Sequence, residues 1–109
     1  MELSQYQQLS RATAVYPDAG ANLTYPALGL CGEAGEVAEK VKKAIRDDAG
    51  VLTEQRRAAL AGELGDVLWY VAQLATEAGL DLDTVADANL EKLRSRQQRS
   101  VLSGSGDTR

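Results

Sequence analysis

The sequence predicts an all-α fold, an antiparallel bundle of about four helices. Three observations lead to this prediction: apolar residues recur at helical spacing, turn residues divide the chain into helical segments, and no segment alternates like a strand. With 109 residues, of which 44% are hydrophobic, the chain fits one domain with a modest core. Because the helices have apolar residues on two sides, we expect oligomerisation, as a homodimer or homotetramer, to complete the bundle.

Turn residues and caps bound the first two helices. The first is predicted from about Leu3 to Val15, where the turn-rich stretch YPDAGANLT ends it. Thr24 is the predicted N-cap of the second, and Pro26 falls in its first turn, a favoured position for proline. This helix is predicted to continue to about Arg46.

The same signals bound the last two helices. Thr53 is the predicted N-cap of the third helix, which closes at Gly79. The fourth helix follows with either Asp81 or Asp83 as its cap. Because the loops are short, consecutive helices are expected to be antiparallel neighbours.

Charge and composition exclude several classes of protein. The net charge is −4, yet residues 92–109 hold five basic residues against Asp107 alone. An acidic body with a basic end argues against a nucleic-acid partner and suits a smaller anionic ligand. The chain has no histidine, which excludes zinc hydrolases and serine triads.

The chain shows no export or membrane signal. No apolar run reaches the roughly 18 residues of a membrane span, and the start MELSQYQQLS lacks the basic and apolar regions of a signal peptide. The single cysteine, Cys31, excludes an internal disulfide, and we expect it to be buried as a small apolar residue. These features predict a cytoplasmic protein with no membrane partner.

An acidic motif occurs twice. GEAGEVAEKV (residues 32–41) and GELGDVLWYV (residues 62–71) share the order Gly-Glu-x-Gly-acid-Val. At about 100° per residue, each segment has an apolar stripe with a polar strip along one border. The polar strips contain Glu33, Glu36 and Lys40 in the first segment, and Glu63, Asp66 and Tyr70 in the second. If the two helices pack antiparallel through their stripes, the four carboxylates meet.

Four carboxylates in one place indicate a metal site. Each like charge raises the cost of ionising the next, and a divalent cation removes this conflict. Because the ligands are all oxygen atoms, the predicted cation is Mg²⁺, with Mn²⁺ as a substitute. The motif glycines suggest a close approach between the helices or to a ligand. Acidic pairs at this spacing are also typical of a solvated helix face. We interpret four other glutamates as surface residues: Glu2, Glu39, Glu54 and Glu77.

Two further groups of residues allow more than one interpretation. Asn89, Lys92 and Arg96 share one face of the fourth helix, where they would bind phosphate or, as basic residues near a helix end, favour the helix dipole. Trp69 lies opposite the apolar stripe of the third helix. We expect it to cover a subunit interface or another helix rather than to stack on a base.

The stretch from about Tyr25 to Arg99 resembles the MazG-like nucleoside triphosphate pyrophosphohydrolases, in an all-α superfamily with dCTP pyrophosphatases and dimeric dUTPases. The most specific feature is the pairing of Glu-x-x-Glu with Glu-x-x-Asp at the four carboxylates. The family's Asp-x-x-x-Tyr falls on Asp66 and Tyr70, and its N-x-x-K-L-x-x-R on residues 89–96.

The resemblance implies Mg-dependent hydrolysis of an NTP or dNTP to the monophosphate and pyrophosphate, for house-cleaning or pool control. Glu33 or Glu36 would steer the attacking water. The implied catalytic and metal-binding residues are Glu33, Glu36, Glu63 and Asp66. The implied substrate-binding residues are Lys40, Tyr70, Asn89, Lys92 and Arg96.

The resemblance also suggests how the chain is divided. Residues 1–99 would form the MazG-like domain, and residues 100–109 a tail that is either a flexible end or a segment folded over the active site. An alternative function is a catalytically inactive helical module for dimerisation or regulation. A di-iron bundle is excluded because such bundles need Glu-x-x-His pairs.

Overall fold

The computed structural model describes residues 1–109 and confirms the all-α prediction. It contains four α-helices and no strand: α1 (Leu3–Ser10), α2 (Thr24–Asp48), α3 (Glu54–Glu77) and α4 (Leu82–Gln98). A single 3₁₀ turn, Arg11–Thr13, follows α1. No helix is both long and apolar enough to cross a membrane.

The first helix ends earlier than predicted, at Ser10 rather than Val15. The hydroxyl of Ser10 donates to the carbonyl of Gln7 at 3.0 Å, and that of Thr13 donates to the carbonyl of Ser10 at 2.7 Å. Such side-chain bonds to the backbone compete with α-helical hydrogen bonds and favour the tighter 3₁₀ turn found here.

The ends of α2 also differ from the prediction. The N-cap position of α2 is Leu23 rather than Thr24, and the side-chain Oδ1 of Asn22 accepts from the Tyr25 N–H of the first turn at 3.0 Å. At the other end, Ala49 adopts the left-handed conformation with φ 54°, and the Gly50 N–H donates to the Ala44 carbonyl at 2.9 Å. This C-terminal motif ends α2 at Asp48, two residues beyond the predicted position.

The predicted caps of the last two helices are confirmed. Thr53 accepts from the Arg56 N–H at 3.2 Å. Of the two alternatives for α4, Asp81 is the cap and accepts from the Thr84 N–H at 3.2 Å. Gly79, with φ 71°, turns the chain between α3 and α4.

Helices α2 and α3 form an antiparallel hairpin joined by residues 49–53. Pairs of contacting residues run in opposite directions along them: Asp48 with Arg56, Lys40 with Glu63, and Gly29 with Tyr70. The two helices approach closely at Gly29, where an added Cβ would lie 2.1 Å from the Tyr70 ring. Of the two alternatives for the motif glycines, a close approach between α2 and α3 is wrong, because a Cβ would meet nothing within 4 Å at any of them: Gly32, Gly35, Gly62 and Gly65. A close approach to a ligand stays a prediction.

The apolar core of the single chain is small. Ala72, Ala75 and Leu82 form its centre, and Tyr6 packs against it from α1. The expected burial of Cys31 is wrong, because its side chain is exposed. The predicted apolar stripes are also only partly covered: Ile45 is 65% exposed and Leu64 is 52% exposed. Helices α2 and α3 pack chiefly on each other, so no further helix of the chain covers these side chains.

A buried polar network holds the segment between α1 and α2 against α3. The carboxylate of Glu77 accepts from Arg11 at 2.9 Å and from the N–H groups of Gly20 and Asn22. Its side chain is 1% exposed, so the prediction of a surface residue is wrong. These hydrogen bonds hold the pKa of Glu77 below its usual value, chiefly through the N–H of Asn22.

The C-terminal tail, residues 100–109, folds back onto α4. The carboxylate of Asp107 accepts from Lys92 at 2.8 Å and from Arg96 at 3.0 Å. The guanidinium of Arg109 donates to the carbonyls of Val101 and Leu102 and closes the tail into a loop.

Candidate metal and nucleotide site

Three of the four predicted carboxylates gather between α2 and α3. One carboxylate oxygen from each of Glu33, Glu63 and Asp66 lies within 4.8 Å of the other two. The antiparallel hairpin explains this arrangement, because it places Glu33 on α2 opposite the turn of α3 that carries Glu63 and Asp66. Glu36, one turn further along α2, is exposed and lies outside this group.

Partial burial and the crowding of negative charge both act on Glu33. Partial burial raises its pKa above the usual value, and the carboxylates of Asp66, Glu63 and Glu36 raise it further. The only cation paired with the group is Lys40, whose Nζ lies 3.5 Å from Glu63. A divalent cation would remove this repulsion, and a set of carboxylate oxygens fits Mg²⁺ or Mn²⁺.

A cavity of about 350 Å³ opens beside this group. Glu33 and Asp66 line it on one side, and Thr13, Trp69 and Tyr70 line it on the other. It thus joins carboxylates that can hold a metal to an aromatic wall that can contact an apolar ring.

The aromatic wall belongs to a larger cluster. Trp69 contacts Tyr70 edge to face at 4.9 Å between ring centres, and Tyr16 at 6.4 Å. Tyr16 stacks on Tyr25 at 4.8 Å. The Trp69 N–H donates to the hydroxyl of Thr13 at 2.8 Å. Trp69 therefore covers the segment that follows α1 in its own chain.

Sequence reasoning missed Thr13, which lines this cavity, and Tyr16, which belongs to the aromatic cluster beside it. Both lie in or after the 3₁₀ turn, far from the acidic motifs along the chain, and are brought there by the network around Glu77. Tyr16 is not part of a periodic apolar pattern in the sequence. In the structure its hydroxyl accepts a hydrogen bond from Arg11 at 2.7 Å. A single sequence holds no signal that links these positions to the carboxylates.

Tyr70, a predicted substrate contact, lies at the carboxylate end of the aromatic cluster. Burial raises the pKa of its hydroxyl, and the neighbouring Tyr25 and Glu33 raise it further. The hydroxyl is therefore protonated at neutral pH and can act as a hydrogen-bond donor.

The predicted phosphate-binding residues of α4 lie apart from the carboxylates. Helix α4 packs on α1, and only Leu82 in its first turn reaches the core residues of α3. Lys92 and Arg96 share the carboxylate of Asp107, whereas Asn89 is exposed on the same helix. Within one chain the structure does not bring these three residues to the cavity.

A larger cavity, of about 670 Å³, lies between α1 and the turn after α3. It contains none of the carboxylates of the motif. Two of its polar side chains are already paired within the chain: Gln7 donates to Thr76 and to the carbonyl of Leu80, and Arg11 donates to Glu77. Size alone therefore does not mark the functional site.

Comparison with known proteins identifies the family of the chain. The family model of the MazG nucleotide pyrophosphohydrolase domain matches residues 23–101, which include both acidic motifs. The chain belongs to the MazG family. The Gene 37 protein of Mycobacterium phage L5 is 51% identical over 114 aligned positions that cover 100% of both chains. No solved structure matches the chain. Membership of this family supports nucleotide pyrophosphohydrolase activity in general.

Proposed function

We propose that the protein hydrolyses a nucleoside triphosphate, an NTP or dNTP, to the nucleoside monophosphate and pyrophosphate with Mg²⁺ as cofactor. In this reaction water adds to the α-phosphorus, and the bond from that phosphorus to the bridging oxygen of pyrophosphate breaks. The observation that carries the proposal is the group of Glu33, Glu63 and Asp66 beside an aromatic-walled cavity. The physiological role would be house-cleaning or control of a nucleotide pool.

The carboxylates beside the cavity would bind the metal. Glu33, Glu63 and Asp66 would hold Mg²⁺, with Glu36 at the exposed edge of the group. The metal would supply positive charge that stabilises phosphate oxygens and makes water a better nucleophile. This charge would offset the like-charge repulsion that, in addition to partial burial, raises the pKa of Glu33.

The other residues would orient the substrate and the water. Glu33 or Glu36 would accept a hydrogen bond from the attacking water and direct it toward the α-phosphorus. Lys40, 3.5 Å from Glu63, would orient that carboxylate and contact a phosphate oxygen. Tyr70, protonated at neutral pH, would donate to the sugar or base from the cavity wall.

We also propose that the protein is a homodimer or homotetramer. The radius of gyration of the single chain is 16.7 Å, whereas a compact chain of this length has about 13 Å. Apolar side chains on the hairpin and α4 remain uncovered, among them Ile45, Leu64 and Leu90. Light scattering during gel filtration tests this proposal, and a monomeric mass at micromolar concentration would contradict it.

The decisive experiment measures pyrophosphate release from a panel of standard and modified NTPs and dNTPs, with Mg²⁺ and with Mn²⁺. The variant Glu63→Gln removes one metal ligand, and Glu91→Gln, an exposed change on α4, is the matched control. We expect Glu63→Gln to lower the rate at least about a hundredfold, since even the outer partners of metal ligands are worth about 10- to 100-fold. The control should retain the wild-type rate.

Each outcome has a clear meaning. Release by wild type that is lost in Glu63→Gln supports the proposal and identifies the substrate class. Absence of release together with absence of Mg²⁺ binding would refute it and would favour an inactive helical module of the same fold.

A further inference from the structure

The contact between the tail and α4 has the chemistry of an anion-binding site. Arg96 lies in the last turn of α4 and is only 5% exposed. Its guanidinium donates to the carboxylate and to the main-chain carbonyl of Asp107, and Lys92 donates to the same carboxylate at 2.8 Å. Two cations thus converge on one carboxylate oxygen, Oδ1.

The carboxylate does not satisfy the buried guanidinium. The Nε of Arg96 is buried and has no hydrogen-bond partner, although Nη2 of the same group is engaged by Asp107. Buried donors without partners are rare and cost free energy. A phosphate group, with three terminal oxygens, can engage the two N–H groups on one edge of a guanidinium and still accept from Lys92.

The tail is built so that Asp107 can leave. The Asp107 side chain is 77% exposed, and that of Lys92 is 40% exposed, so water screens their attraction. Ser100, Gly104 and Gly106 have positive φ values of 59°, 140° and 84°, which fold the tail back onto its own helix. The guanidinium of Arg109 closes the loop through backbone carbonyls of the tail itself. Besides Lys92 and Arg96, the side chain that holds the tail is Arg99, which donates to the main-chain carbonyl of Arg109 at 2.8 Å.

We propose that Lys92 and Arg96 form an anion site that Asp107 occupies in the free protein and that a phosphate group takes over by displacing the tail. The tail is then an internal competitor of the phosphate-bearing ligand. The proposal rests on the proposed function only for the source of that phosphate, either the nucleotide or the pyrophosphate product. Inorganic pyrophosphate can therefore serve as the probe.

The test is calorimetric titration of the full chain with pyrophosphate in buffer free of divalent cations. Without metal, the carboxylates of α2 and α3 repel the probe, so binding reports on the basic residues of α4. The variant Asp107→Asn removes the competing charge, and Asp87→Asn removes the same charge from an exposed position on α4. We expect Asp107→Asn to bind pyrophosphate about tenfold more tightly than wild type. This factor corresponds to a tail that is bound to α4 in roughly nine of ten wild-type molecules. Asp87→Asn should bind like wild type.

A second pair of variants locates the effect. In the Asp107→Asn background, Lys92→Gln should abolish the gain, and because Lys92 is partly exposed this change leaves the helix intact. Unchanged or weaker binding by Asp107→Asn, or an equal gain in Asp87→Asn, would overturn the proposal.

Parallel assays separate this inference from the proposed function. A tenfold gain in a protein that hydrolyses no nucleotide would support the anion site and contradict the enzymatic proposal. An active enzyme whose affinity for pyrophosphate is unaffected by Asp107→Asn would contradict the anion site alone. Nucleotide titrations in the same series then show whether the triphosphate or pyrophosphate gains more from removal of the carboxylate.

Discussion

Replacing Gly29 by alanine tests the packing of the α2–α3 hairpin against the Tyr70 ring. The new Cβ would lie 2.1 Å from Cε1 of Tyr70 and 2.4 Å from its Cζ. The ring cannot simply turn aside, because Trp69 contacts it edge to face at 4.9 Å. Helix α2 or the aromatic cluster must therefore shift.

The net effect can be estimated from two opposing contributions. Overpacking of this kind costs about 1–3 kcal/mol. Alanine in place of glycine inside a helix recovers roughly 0.8–1 kcal/mol. We expect Gly29→Ala to lower the free energy of unfolding by up to about 2 kcal/mol, which corresponds to a fall in Tm of up to roughly 9 °C for a domain of this size.

The matched control lies one turn away on the same helix. A Cβ at Gly32 meets nothing within 4 Å, so Gly32→Ala should raise the stability by about 0.5–1 kcal/mol. Thermal unfolding followed by circular dichroism, at one protein concentration and with a chelator present, measures both variants. Equal stabilisation by Gly29→Ala and Gly32→Ala would refute the packing described for the hairpin.

A double-mutant cycle then assigns the cost to the tyrosine ring. In a Tyr70→Leu background, the clash is removed and Gly29→Ala should cost less than it does in the wild-type chain. An unchanged cost would show that the ring does not oppose the new methyl group.

Three further predictions concern charge. Metal-free Glu33→Gln should melt at a higher temperature than wild type at pH 7. The pKa of Glu33 is raised in the folded protein, so wild type loses stability as the pH rises above the usual carboxyl pKa. The difference in Tm should vanish in acid, and an equal gain in Glu91→Gln would contradict this prediction. Glu77→Gln should melt at a lower temperature than wild type at neutral pH. The pKa of Glu77 is lowered in the folded protein, so the carboxylate contributes stability above the usual glutamate pKa, and this stability is lost as the pH falls through the folded-state pKa. A Tm equal to that of Glu91→Gln would contradict this prediction. The side-chain carboxyl carbon of Asp107 should titrate in an NMR experiment with a pKa of about 2, and a value near 3.8 would show that Lys92 does not hold it.

Much of the local structure follows from short stretches of sequence. Thr53 and Asp81 cap their helices as predicted, because a cap depends on one side chain and an N–H group three residues away. The first helix was predicted too long because the hydroxyls of Ser10 and Thr13 bond to the backbone, an effect that apolar spacing does not report.

The candidate site was predictable only in part. The duplication of the acidic motif predicts that the carboxylates meet, and Glu33, Glu63 and Asp66 do gather. Glu36 lies one helical turn from Glu33 and is exposed, outside the group. The catalytic and metal-binding roles of these residues remain predictions that the Glu63→Gln assay tests.

The sequence by itself determined the helical class of this protein, the caps of its later helices and the spacing that aligns its carboxylates, because these depend on residues within a few positions of one another. Only the tertiary structure decided that the side chain of Glu77 is buried, that Trp69 covers Thr13, and that Asp107 pairs with Lys92 and Arg96. Each of these contacts joins residues that the chain brings together only by folding back on itself. Their partners are therefore set by how helices and loops pack, which periodicity and composition do not encode.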